Sequence, residues 1–502
     1  MGDRRVCLVS TPSSFLLDER VFPFLGVLKL AGVLSRAGIA SEVLDLSGIK
    51  NYLDVLGAHA RRTEARHFGI TATTPQFPAA VQIAAAIRSV RPDARVIIGG
   101  THATLTVAGM KYEKKMNRTG RAHRAWKALE ENFDVIVSGD GERTIFPALA
   151  DDAPKLIDVD DRKHADFLRD HDEELESVFP ARHLIDLDTY HYKIEGVRAT
   201  SLIAQLGCPY KCGFCAGRDS PMLRNIRTRS IDSIVEEMLL IYRNWGIRGI
   251  MFYDDELNIS KDMLQLMERI AKIGHDEGIE WKLRGFIKSE RFTDEQAEAM
   301  YEAGFRQVLI GFESGAARIL DNIQKIATQD DNTRCMEIAR RHGLKVKALM
   351  SLGHPGESEQ TIAETRAWLC DVRPSDFDAT VITPYPGSPY YDQAVPLEGS
   401  ETERAWVYRC KNGDALYQQE VNYAQEADYY KGDPNDGYVS HVWTENLSQL
   451  DLVRERNALE SDVRGKLGIP FNPSRPAELF ELSMGQSRLP ANILRTSRGV
   501  PS

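Results

Sequence analysis

Between residues 5 and 140 the chain alternates short apolar runs with stretches whose apolar residues recur at three-and-four spacing. RVCLVS (5–10), IASEVLDL (39–46), HFGITAT (67–73), ARVIIGG (94–100) and FDVIVSGD (133–140) read as strands, because short aliphatic and β-branched runs bounded by turn residues fit a buried sheet. FPFLGVLKLAGVLSRAG and PAAVQIAAAIRSVRP each carry one apolar face, as helices packed on that sheet require. The pattern predicts a doubly wound parallel α/β sheet over residues 1–150. Such sheets bind ligands beyond the carboxyl ends of their strands. Four loops at that edge are rich in small polar residues: Thr11, Ser13 and Ser14; Thr73, Thr74, Pro75 and Gln76; Gly99, Gly100, Thr101 and His102; and Gly139, Asp140, Gly141 and Glu142. One such loop is commonly a mere turn, whereas four together mark a binding edge.

A basic run from Lys111 to Lys127 reads as a solvated surface segment. Residues 151–195, rich in Asp and Glu and containing Pro180, read as a linker. From Ala199 the alternation resumes in TSLIAQLG, IRGIMFYDD, EWKLRGFI, FRQVLIGFES, LKVKALMSLG and FDATVITPYP, with helical patterns between them. Over residues 196–395 this predicts a partial (β/α)6 barrel, two units short of closure and open at the side for a large substrate. After residue 396 the chain turns polar and aromatic, with Tyr417, Tyr423, Tyr429, Tyr430, Tyr438 and Trp443, and then carries the amphipathic stretch LSQLDLVRERNALESDVRGKLG. Residues 396–502 are expected to form a small α-rich domain controlling access to the barrel.

Length and charge narrow the function. With 502 residues and 42% apolar content, two or three domains are required. No run approaches the roughly 18 uncharged apolar residues of a membrane span, and the N-terminus has no secretory apolar segment, so the expected location is the cytoplasm. A formal net charge of −10 argues against a nucleic-acid scaffold and favours a small-molecule substrate. Seven cysteines in a reducing compartment point to metal or redox chemistry wherever they cluster. Cys7, Cys335, Cys370 and Cys410 are scattered and read as buried thiols.

The other three are not scattered. GCPYKCGFC places Cys208, Cys212 and Cys215 in a Cys-x3-Cys-x2-Cys run after the first barrel strand, where barrel active sites are built. Structural zinc takes four protein ligands and no fourth Cys or His lies nearby, whereas a 4Fe-4S cube on three thiolates keeps one iron open. This motif resembles that of the radical S-adenosylmethionine (SAM) superfamily. The resemblance implies that the open iron chelates the methionine moiety of S-adenosyl-L-methionine, whose reductive cleavage gives a 5′-deoxyadenosyl radical. It implies further that Phe214 packs near the adenine. Asp254, Asp255 and Glu256 in YDDELN would meet the methionine amino group, Arg284 its carboxylate, Glu313 and Ser314 in GFESG the ribose or carboxylate, and Gly353 and Pro355 in SLGHPGES the adenine turn. Plainer readings stay open: a helix cap for the acidic run, an ion-pair partner for Arg284, and turns for the glycines and prolines.

With its N-terminal sheet the chain resembles the cobalamin-binding radical SAM enzymes, a class dominated by methyltransferases. The resemblance implies cobalamin held by the four sheet loops against the barrel mouth. The Asp-x-His-x-x-Gly motif of other cobalamin proteins is absent and His102 lacks its context, so the lower face of the cobalt is either open or met from the loop at Pro75 and Gln76. The implied reaction is methyl transfer from SAM via methylcobalamin to an unactivated carbon, or a phosphinate phosphorus, of a natural-product intermediate, with electrons from a flavodoxin or ferredoxin. Three rivals remain. One is a rearrangement, cyclisation or oxidation on the same domains without methyl transfer. Another is a methylthiotransferase, whose N-terminal domain would need three further cluster cysteines. The last is a non-catalytic iron-sulfur or electron-transfer protein.

Overall fold

A computed structural model describes residues 5–13, 19–398, 404–426 and 439–470. Ser14, Tyr429, Tyr430 and Tyr438 lie outside the described residues. The first body is a six-stranded parallel sheet of β1 (Arg5–Ser10), β2 (Ala40–Asp45), β3 (His67–Thr71), β4 (Arg95–Gly99), β5 (Val135–Ser138) and β6 (Leu156–Asp158), in the order β2-β1-β3-β4-β5-β6. Because successive strand residues face opposite ways, the sheet has two cores. Cys7, Val9, Phe68, Ile70 and Ile98 face α2 (Tyr52–Arg62), α3 (Phe77–Val90), α4 (Thr101–Lys115) and α5 (Arg121–Asn132). Val6, Leu8, Ile97 and Val137 face α1 (Leu25–Arg36) and α6 (Gly141–Ala148). The order of β1 to β5 places a topological switch between β1 and β3, the position at which such sheets open toward a ligand.

The second body is a curled sheet in the order β15-β14-β13-β12-β11-β8-β7. Its strands are β8 (Val197–Leu202), β11 (Gly249–Phe252), β12 (Lys282–Phe286), β13 (Phe305–Glu313), β14 (Lys345–Leu352) and β15 (Asp376–Val381), all parallel, with β7 (Lys193–Ile194) added antiparallel to β8. These are the six expected barrel strands, and the edges at β7 and β15 stay apart. A short ribbon of β9 (Gln205–Leu206) and β10 (Arg227–Thr228) brackets the cysteine run. Among the described residues no helix is long and apolar enough to cross a membrane.

Three expectations are met only in part. Residues 151–195 are not only a linker, since β6 completes the first sheet; a three-residue edge strand in an acidic stretch leaves too little periodicity to read. The basic run is a surface segment only in part, with Lys111, Lys114, Lys115, Arg124 and Lys127 exposed. It is the junction of α4 and α5, in which Glu113 accepts from the N–H groups of Gly120, Ala122 and His123, and Arg121 is buried. The described tail carries the expected long helix, Gln449–Leu467, and beside it a sheet that was not expected: β16 (Val395–Pro396), β17 (Ala405–Arg409), β18 (Ala415–Gln419) and β19 (Val442–Thr444), all antiparallel. The tail docks across both bodies. Arg121 donates to the Tyr391 carbonyl and to Gln418 Oε1, each at 2.7 Å, and lies 3.8 Å over the Tyr391 ring. The long helix covers β15, where Arg464 pairs with Asp376 at 2.9 Å.

Candidate active site

The cysteine run is held by backbone bonds and by the acidic residues of YDDELN. Gly207, just before Cys208, has φ +88°, and a Cβ there would lie 1.9 Å from the Asn225 carbonyl oxygen, so only glycine fits. Asp255 Oδ2 accepts from the Gly207 N–H at 2.6 Å, and Asp254 Oδ1 from those of Ala204 and Gln205 at 2.7 and 2.9 Å. The N–H groups of Cys208, Gly213 and Gly217 donate to the carbonyls of Leu223, Ile323 and Gly387 at 3.0, 2.7 and 2.9 Å. The loop is thereby pinned to separate parts of the barrel. Burial first, then the neighbouring sulfurs of Cys212 and Cys208, push the Cys215 thiol up to about 12. A buried thiol whose ionisation is opposed by two neighbouring sulfurs belongs to a donor set suited to a polycationic centre such as an iron-sulfur cube. Lys288 adds positive charge beside them: burial works against its ammonium, but Glu256, Glu290 and Cys212 outweigh this and raise its pKa. Its Nζ lies 4.0 Å over the ring of Tyr210, inside the run.

The remaining SAM-site candidates divide into two groups. Phe214 is part of the cysteine run, Glu256 lies near Cys208, and Glu313 is linked to the run through Ser351 and His354. Burial raises Glu256 to about 7, against the pull of Lys288 and Lys325. Glu313 sits at φ +68°, a strained conformation for a non-glycine residue, with Oε2 accepting from Ser351 Oγ at 2.7 Å and Oε1 3.7 Å from Lys325 Nζ. Ser351 Oγ also lies 2.8 Å from His354 Nε2, whose Nδ1 is 3.2 Å from the Tyr390 hydroxyl. Phe214 and His354 pack with ring centroids 5.3 Å apart, so the fifth-strand turn touches the cysteine run. Neither His354, which lies inside SLGHPGES, nor Tyr390 was singled out in the sequence.

The second group is turned away. Arg284 lies mid-strand in β12, fully buried and hydrogen-bonded to the Tyr192 hydroxyl. Ser314 Oγ is 3.0 Å from Thr365 Oγ1 and accepts from the Ala316 N–H at 3.1 Å. Gly353 packs on Val381, Val442 and Leu452, and the Pro355 carbonyl accepts from Asn322 at 2.7 Å. Cys410 is buried among the aromatic residues of the tail.

A cavity of about 350 Å³ opens between the first sheet and the barrel. Its floor is Leu8, Gly69, Ile97 and Val137 of the sheet, one wall is α1, and the rim is Gly99, Gly100, Thr101 and Gly139 to Glu142. The barrel supplies Leu206, Gly207, Leu223, Arg227 and Asp255. Gly100 has φ +91° and a Cβ there would lie 2.5 Å from Thr71 Oγ1, so this loop too demands glycine. Arg227 pairs with Asp140 across the two bodies. An apolar floor with a glycine and polar rim at the strand ends fits an inserted cofactor of the cobalamin type.

Two of the four predicted loops line this cavity and two do not. Thr11 Oγ1 donates to the Thr71 carbonyl at 2.6 Å. Gln76 Oε1 accepts from the N–H and hydroxyl of Thr73, both at 2.9 Å, while its Nε2 donates to the Thr11 carbonyl at 2.7 Å. These groups, with buried Ser13 and Pro75, staple the β1 and β3 ends together. His102 stacks on Phe77 at 4.1 Å in the core on the opposite face, 3.2 Å from Thr74 Oγ1, and burial holds its pKa at about 3, so it is neutral. Sequence reading missed the barrel's share of the lining, because nothing local marks Arg227 as a neighbour of Asp140.

Comparison with known proteins bears on both halves. Residues 202–369 match the radical SAM superfamily and residues 19–117 the B12 binding domain. The chain thus pairs a B12 binding domain with a radical SAM domain. The cofactors that belong to these two domains are a 4Fe-4S cluster, S-adenosyl-L-methionine and cobalamin. An uncharacterized methyltransferase of Pyrococcus horikoshii is 26% identical over 339 residues, covering 65% of this chain and 69% of its own. The anaerobic magnesium-protoporphyrin IX monomethyl ester cyclase of Cereibacter sphaeroides is 23% identical over 387 residues, 74% of this chain and 60% of its own. The protein therefore spans less than two thirds of that cyclase. Its fold matches the radical SAM methyltransferase TsrM of Kitasatospora setae, solved with cobalamin and a [4Fe-4S] cluster bound, at a TM-score of 0.62 and 16% identity over 98% of this chain and 93% of the other.

Proposed function

We propose that the protein is a cobalamin-dependent radical SAM methyltransferase that moves a methyl group from S-adenosyl-L-methionine to an unactivated carbon, or to a phosphinate phosphorus, of a small natural-product intermediate. One observation carries the reading: Leu206 and Gly207, immediately before Cys208, and Asp255, which holds Gly207, also line the cavity at the sheet loops. A cluster on Cys208, Cys212 and Cys215 and a cobalamin among Gly99 to Thr101 and Gly139 to Glu142 then share one wall. When bound, these cofactors supply one-electron cleavage of a sulfonium and a methyl carrier, chemistry that no side chain offers.

The protein's own residues bind and orient. In this reading Lys288 balances the charge of the thiolates, Glu256 receives the methionine ammonium, Glu313 meets the ribose, and Phe214 backed by His354 forms the adenine wall. Asp254 and Asp255 position the cysteine run through its backbone, and Arg284 serves the barrel interior. On the substrate side, Tyr253 directly follows β11 and is 46% exposed, with Phe22 at 5.5 Å and Phe286 at 6.2 Å. Such an aromatic wall supports a small organic substrate. A reduced flavodoxin or ferredoxin supplies the electrons.

The test needs no knowledge of the substrate. Anaerobically reconstituted protein with cobalamin and a strong reductant is given methyl-labelled S-adenosyl-L-methionine, and S-adenosylhomocysteine and 5′-deoxyadenosine are quantified. Formation of both supports methyl transfer. Formation of 5′-deoxyadenosine alone favours the second reading, a rearrangement or cyclisation, which the cyclase relative keeps in view. Formation of neither, with the cluster intact, refutes both.

A further inference from the structure

The geometry points to a divalent metal site, best suited to zinc, on the outer part of the first sheet and away from the cavity: we infer that Cys7, Glu42 and His59 form it. Cys7 of β1 and Glu42 of β2 are register partners in the parallel ladder, and His59 comes from the last turn of α2, which covers that face. Their ligand atoms all lie within 4.8 Å of one another. Cys7 Sγ is 3.7 Å from His59 Nε2, and the same Nε2 is 3.1 Å from Glu42 Oε1.

Hydrogen bonding does not account for this convergence. An imidazole nitrogen offers either one N–H or one lone pair, so Nε2 serves the thiol or the carboxylate but not both. A metal ion at the common point serves all three. Tetrahedral zinc with bonds of about 2.3 Å to sulfur and about 2.0–2.1 Å to nitrogen and oxygen sets ligand atoms roughly 3.3–3.6 Å apart, near both observed spacings. Thiolate, imidazole and carboxylate together also match the zinc donor set more closely than that of magnesium or calcium, which take oxygen. Cys7 is fully buried, whereas the His59 and Glu42 side chains are 27% and 40% exposed, which gives an entry path and room for a water as fourth ligand. Thr63 Oγ1 donates to Glu42 Oε1 and supports that carboxylate from outside. A metal here would clamp β1, β2 and α2 without touching the cluster or cobalamin.

The experiment uses the full chain in two forms, the reconstituted holoprotein and a Cys208→Ala/Cys212→Ala/Cys215→Ala variant, so that zinc on empty cluster thiols is not miscounted. After incubation with zinc and dialysis against a weak chelator, zinc per chain is measured by elemental mass spectrometry and the unfolding midpoint is recorded with and without zinc. About one zinc is expected in both forms. Its apparent affinity should fall at least tenfold with His59→Ala and with Cys7→Ser, and the zinc-dependent rise in midpoint should vanish. Glu42→Gln, at a half-exposed position that tolerates change, should weaken zinc without altering the metal-free midpoint. Absence of retained zinc, or zinc unaffected by His59→Ala and Glu42→Gln, overturns the inference; neither result bears on the methyltransferase reading.

Discussion

Replacing Gly207 by alanine tests whether backbone geometry at the entry to the cysteine run sets the cluster site. Two costs add. An alanine at φ +88° pays about 1–2 kcal/mol for the left-handed conformation. Its Cβ also meets the Asn225 carbonyl oxygen at 1.9 Å, and that partner is backbone, so the chain must yield by about 1 Å at a cost of about 1–3 kcal/mol more. Gly413 provides the control. It has φ +90° but nothing within 4 Å of the point where a Cβ would sit, so Gly413→Ala carries the first cost without the second. Both variants should lower the unfolding midpoint, Gly207→Ala further. The difference that matters lies at the cluster: a misplacement of about 1 Å is enough for about a hundredfold loss of activity. Because Gly207 also holds Asp255 and lines the cavity, iron and sulfide per chain and cobalamin retention should both fall in Gly207→Ala and stay at parental levels in Gly413→Ala. Equal iron content and equal cobalamin in the two variants would refute the reasoning.

Other outcomes follow from the same geometry. Cys212→Ala should abolish the visible absorbance of the cluster and all cleavage of S-adenosyl-L-methionine while leaving cobalamin bound, as checked by cobalt analysis; Cys410→Ala, in a buried aromatic setting, should leave product formation intact. Ser351→Ala removes the hydroxyl between Glu313 and His354 and should raise the SAM concentration needed for half-maximal cleavage about tenfold to a hundredfold, one lost charge-assisted hydrogen bond, read from 5′-deoxyadenosine formation. Arg121→Ala should cost about 2–3 kcal/mol in chemical unfolding, because it strands the acceptors at Tyr391 and Gln418 and loses a buried cation–π contact. His102 has a folded pKa of about 3 against an ordinary 6.5, so its contribution to stability is complete above pH 6.5 and lost as the pH falls toward 3, where the unfolded chain takes up a proton that the folded chain refuses. His102→Phe should therefore show a shallower loss of stability with acid than the parent across that window.

What could be read from the sequence was what is encoded locally. The first five strands carry their apolar runs in one piece, and the Cys-x3-Cys-x2-Cys run needs no folding to be recognised. The glycine loops at Gly99 and Gly139 also announce themselves, since their backbone demands are met by residue type alone. What stayed hidden depends on long-range register. β6 has only Leu156 to Asp158 to show, and the tail strands β17 and β18 are recognisable as a sheet only once paired. Arg121 reads as part of a basic surface until Tyr391 and Gln418, some 270 and 297 residues away, close over it. The loops at Thr11 and Gln76 have the composition of a binding edge, yet their polar atoms are consumed by each other. Cys7 is the sharpest case. As a lone thiol in an apolar strand it reads as inert core, because His59 lies 52 residues further on and Glu42 on another strand. Only the parallel register and the helix crossing over it bring the three donors to one point, so the chemistry of that thiol is a property of the fold and not of its own segment.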